Sequence, residues 1–65
     1  MKTQVANSTY AIKTYLEQIY RQVDDVIHLG DFVFMANVKV YEVIVYTKPI
    51  DEEQSMLEIV DIKFK

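Results

Sequence analysis

Val26-Ile27-His28-Leu29-Gly30-Asp31-Phe32-Val33-Phe34 holds the point at which the chain changes its hydrophobic period. Upstream of Gly30 the apolar residues recur at helical spacing. Downstream, β-branched and aromatic residues dominate in the manner of strands. Gly30 is the single glycine and Pro49 the single proline of 65 residues. Together they divide the chain into a long N-terminal helix and a β-rich remainder.

Working back from Gly30, a rotation of 100° per residue places Ile12, Tyr15, Leu16, Ile19, Tyr20, Val23, Val26 and Ile27 within one sector about 140° wide. Lys13, Thr14, Glu17, Gln18, Arg21, Asp24, Asp25 and His28 fall outside it. This partition predicts a helix over 8–29. Ser8 or Asn7 would cap its start, and Gly30 would take the left-handed position after its end. Lys13 with Glu17, Glu17 with Arg21, and Arg21 with Asp25 are spaced for weak pairing on the wet side. Tyr10 falls among these charged residues, as ordinary surface or as a partner contact.

Working forward, apolar runs predict strands over 32–36, 38–47 and 56–64, with a single bent strand from 32 to 47 as the alternative because Ala36-Asn37 is a weak turn. Lys48 to Ser55, with Pro49 removing a ladder donor, forms the acidic tip of a hairpin. The expected fold is therefore α+β. One long amphipathic helix packs on a small antiparallel sheet in the order αβββ, or αββ, within a single domain over 1–65.

The strands are apolar on both faces. Val38, Val40, Ile44 and Tyr46 share one parity, and Tyr41, Val43 and Val45 the other. Met56, Val60, Ile62 and Phe64 likewise oppose Leu57 and Ile59. A sheet with one solvated face would alternate more cleanly. A helix of about 22 residues would match a ten-residue strand at roughly 33 Å and cover one face. The other face would be an exposed apolar patch that marks an interface. Pairing Ile44 with Ile59 assigns Tyr41, Val43, Val45, Val60, Ile62 and Phe64 to the helix. Ile44, Tyr46, Leu57 and Ile59 remain as the interface.

Composition narrows the functional classes. A 65-residue chain buries only about 60% of its unfolded surface and is marginal alone. It has no Cys and one His, so disulfides and thiolate metal sites are excluded. No metal or cofactor is expected. Asp24, Asp25 and His28 have ligand-like spacing without completing a site, and His28 fits better as a complement to the helix C-terminal dipole. Asp51-Glu52-Glu53 reads as a solubilising turn. No nucleophile, base or phosphate-loop pattern points to an enzyme. Asn7-Ser8-Thr9 is a glycosylation sequon only in a secreted setting. The start of the chain lacks an apolar leader core and no run is long enough to span a membrane, which suits a cytoplasmic protein.

The net charge is −3, and the basic residues are dispersed, which disfavours direct nucleic-acid binding. The expectation is a non-catalytic protein–protein interaction module, homodimeric or bound to a partner protein through the sheet. A small inhibitor or accessory factor carried by a phage or other mobile element is one such protein. The alternative is a dimeric β-ribbon nucleic-acid-binding regulator, with Lys39, Lys63 and Lys65 gathered by dimer symmetry.

Overall fold

The computed structural model describes residues 3–65; Met1 and Lys2, the start of the expected single domain, lie outside the described residues. Its elements are β1 (Gln4–Ala6), α1 (Thr9–Tyr20), β2 (Val26–Gly30), β3 (Val33–Val38), β4 (Tyr41–Pro49) and β5 (Met56–Phe64). The five strands form one antiparallel sheet in the order β1-β5-β4-β3-β2. The architecture is mixed α and β, but the expected long helix on a small sheet is overturned. The helix has 12 residues, and the sheet carries two strands beyond the three expected.

Topology explains the short helix. β1 and β2 lie at opposite edges, so α1 has to carry the chain across the sheet instead of along its strands. Four inter-strand gaps of about 4.8 Å make a width near 19 Å, and a 12-residue helix is about 18 Å long. A helix over 8–29 would overshoot the far edge. It would also leave the outer backbone groups of β3 without partners.

The helix begins where the sequence indicates. Ser8 is extended and its Oγ accepts from the Ala11 N–H at 3.1 Å, the expected capping contact. It ends at Arg21, which turns to φ 70° while its N–H donates to the Glu17 carbonyl. No glycine stands at that turn, and Gly30 has no positive φ; Gly30 closes β2 instead. Asp24 and Asp25 are poor helix formers and oppose the negative helix end. Here their backbones pair with Asn37: the Asp24 N–H donates to the Asn37 carbonyl, and the Asn37 N–H to that of Asp25. Val23, Val26 and Ile27 thus leave the expected helical stripe. Val23 is buried beyond the helix, and the other two enter β2.

Two further boundaries move. The break between the first and second apolar runs lies at Lys39-Val40, not at Ala36-Asn37: Val38 pairs Tyr41, and Lys39 adopts φ 57°. Residues 32–64 do form three strands, β3, β4 and β5, with bounds shifted from 32–36, 38–47 and 56–64, and the single bent strand over 32–47 does not occur. Lys48 and Pro49, expected in the acidic hairpin tip, instead extend β4 and pair Glu58 and Leu57, and the turn beyond them is shaped by Asp51. Its carboxylate accepts from the Ser55 N–H and hydroxyl at 3.0 and 2.6 Å, with Gln54 at φ 59°. Asn7 secures the N-terminal segment to the same turn, donating to the Ser55 and Gln54 carbonyls through its backbone and side chain.

The core lies between α1 and one sheet face. Ile12 and Leu16 from the helix meet Phe34, Ala36, Val38, Val43, Val45 and Leu57, with Val23 at one end. Alternation along β3 and β4 produces this set directly. β5 differs, because Tyr46 pairs Asp61 while Thr47 pairs Ile59, leaving Val60 as a bulge residue. The bulge shifts the parity by one. Leu57 and Ile59 therefore share the helix-side face with Ile62 and Phe64, which pair Val45 and Val43. The expected Ile44–Ile59 pairing is replaced by Ile44–Lys63, and Val60 leaves the helix-side set.

Candidate interaction face

The helix covers one face of the sheet, and the opposite face is built from side chains that alternate with the core. Ile27 pairs Met35, Met35 pairs Ile44, and Ile44 pairs Lys63, forming one row across four strands. Val33, Tyr46 and Asp61 form the next row. Ile27 is 49% exposed and Tyr46 38%, whereas Val33, Met35 and Ile44 are half-buried by their neighbours within the sheet. This makes an apolar area over β2, β3 and β4 with Leu29 exposed beside it at the β2 bulge.

Charged residues border this area toward β5 and β1. Lys63 Nζ lies 5.7 Å from the Tyr46 ring centroid, within cation–π range. Lys48 Nζ approaches Glu58 Oε2 at 3.6 Å, beside the Gln4–Glu58 strand pair. The face is therefore apolar over one half and mixed in charge over the other.

The four expected interface residues do not share one surface. Ile44 and Tyr46 belong to the open face. Leu57 is fully buried beneath the helix, and Ile59 packs against the same core. The β5 bulge separates them. Ile27, Val33 and Met35 stand in the open face instead. Ile27-His28-Leu29 does alternate as a strand would, but the longer helical period of the upstream residues masks that signal.

Other candidates also find their places. His28 is in β2, not at the helix end; its ring stacks on Phe34 at 4.5 Å and 12°, and its Nε2 lies 2.6 Å from the Asp31 carbonyl oxygen. Asp51 is committed to its turn, and its hydrogen bond with Ser55 holds its carboxyl below the ordinary carboxylate range. Among the described residues no cluster of three or more His, Cys, Asp or Glu is placed to hold a metal. Lys39 is in the β3–β4 turn, Lys63 beside Tyr46, and Lys65 follows β5, its N–H donating to the Glu42 carbonyl. Tyr10 is exposed on the first helical turn. No helix among the described residues is long and apolar enough to cross a membrane.

Comparison with family models, curated proteins and solved structures finds no match to this chain.

Proposed function

We propose that this chain is a non-catalytic interaction module that associates through the open face of its sheet, with a second copy as the first occupant. The observation that carries the reading is the apolar area of Ile27, Val33, Met35, Ile44 and Tyr46 on the face the helix leaves uncovered. Such an area on a small protein marks an interface.

Dimension and charge favour a second copy. The Cα extents are 36 × 23 × 18 Å, so the broad face measures about 800 Å² in plan, close to one partner's share of a standard interface. A two-fold axis applies the same patch to itself. Lys48 and Lys63 at the border can then approach Asp61 or Glu42 of the other copy. The chain acts in the cytoplasm on this reading, consistent with its absence of Cys.

Sedimentation equilibrium at micromolar concentration tests it. The expected mass is twice the 7.7 kDa of one chain. Ile44→Asp leaves the core intact and yields a folded monomer, because the dimer would bury an unpaired carboxylate. Val43→Asp, at a fully buried position, unfolds the chain. A wild-type monomer that fails to bind an apolar dye refutes the reading.

A further inference from the structure

We infer that the cleft between the C-terminal end of α1 and the β3–β4 turn binds a small aromatic anion, a planar ring bearing phosphate or carboxylate. The site is separate from the open sheet face. The cleft is open to solvent, has a volume of about 470 Å³ and is lined by Ile19, Tyr20, Arg21, Val38, Lys39, Tyr41 and Phe64. That volume is within the range of small-molecule sites, roughly 300 to 1,000 Å³.

Three aromatic rings form the apolar side. Phe64 meets Tyr20 edge-on at 5.9 Å and Tyr41 at 5.8 Å. Tyr41 and Phe64 nevertheless remain more than half exposed. Rings already fixed by one another, with exposed surface remaining, make a platform on which a further ring can stack.

Two cations form the polar side. Arg21 and Lys39 line the cleft, and its lining contains no carboxylate. Neither cation makes an ion pair among the described residues, although the whole chain carries three excess negative charges. Both also stand in the left-handed region, at φ 70° and φ 57°. Gly or Asn is the usual occupant of such a position. These positions are the helix C-cap and the β3–β4 turn, and they place the two cations on either side of one cleft. The helix C-terminal dipole favours the Arg21 cation but repels an anion near the carbonyls. The ligand's charged group therefore sits out by the guanidinium and ammonium heads, with its ring inward against Tyr41 and Phe64.

A ¹⁵N–¹H correlation titration of the full chain with AMP, phenyl phosphate, adenosine and inorganic phosphate tests the inference. AMP or phenyl phosphate is expected to shift the Arg21, Lys39, Tyr41 and Phe64 amides saturably. The tighter of the two identifies the ring class. Adenosine and phosphate, each carrying half of the recognition, bind at least tenfold more weakly. Arg21→Gln and Lys39→Gln each reduce aromatic-anion binding at least tenfold. Each keeps an L side chain at the same backbone conformation, and a thermal melt confirms that the variant is folded. Lys39→Arg retains binding. The inference is overturned by adenosine binding as tightly as AMP, by Gln variants that bind like the wild type, by shifts confined to the open sheet face, or by no saturable shift with either aromatic anion.

Discussion

Truncating Leu16 and Ile19 separately tests how the helix is seated, because the two residues are three positions apart on the same predicted stripe but differ in burial. Leu16 is 0% exposed among core residues from three strands, and Ile19 is 48% exposed. Leu16→Ala removes three carbons, worth about 2.4 kcal/mol at roughly 0.8 per buried carbon. The cavity left in a closed site raises the expected loss to about 3 to 5 kcal/mol. Ile19→Ala removes carbons that already meet water and leaves no closed cavity, so about 1 kcal/mol is expected. A domain of this size has only about 3 to 10 kcal/mol in total. The loss at Leu16 alone would therefore remove much of the stability. With a urea slope near 1 kcal/mol/M, the Leu16→Ala midpoint falls by about 3 to 5 M or the folded baseline disappears. Ile19→Ala moves it by about 1 M. Equal shifts for the two variants would show that the helix is rotated about its axis relative to this structure, and would refute the seating.

Three further outcomes are expected. Deleting Val60 removes the β5 bulge but leaves Ile59 opposite Thr47 and Asp61 opposite Tyr46, so Ile62 and Phe64 keep the helix side; the chain should keep a cooperative thermal transition, and loss of that transition contradicts the register. Gln54→Gly relieves a left-handed backbone at φ 59°, worth about 1 to 2 kcal/mol, against about 0.5 to 1 kcal/mol of added chain entropy; denaturation should show unchanged or slightly increased stability, not a loss. The Asp51 carboxyl is lowered by its hydrogen bond with Ser55, so its contribution is full above the unfolded Asp pKa, about 3.9, and disappears as pH falls through the lower folded value. The difference in melting temperature between the wild type and Asp51→Asn should be clear at pH 6 and shrink toward pH 3; a difference that grows on acidification has the wrong sign.

Local chemistry accounts for what could be read directly. The Ser8 cap, the Ile12 and Leu16 stripe and the apolar run from Met56 to Phe64 each depend on a few adjacent residues. All recur in the structure. The two-faced character of the strands was also legible, since apolar residues at both parities remain so whatever the register. It is the source of the open face.

Tertiary structure decided the rest, because the competing local patterns were nearly equal. Val23, Val26 and Ile27 satisfy a helical period, yet Val26 and Ile27 also begin a strand. The choice was made by the outer edge of β3, whose backbone groups need partners, and by the sheet's width, which limits α1 to 12 residues. The membership of each face was decided in the same way. Leu57 and Ile59 have opposite parity to Ile62 and Phe64, and only the bulge at Val60 brings all four to the helix side. A bulge of this kind carries no Gly or Pro signal. It exists because it lets β5 cover the core at both ends, and that benefit appears only when β4 and the helix are in place.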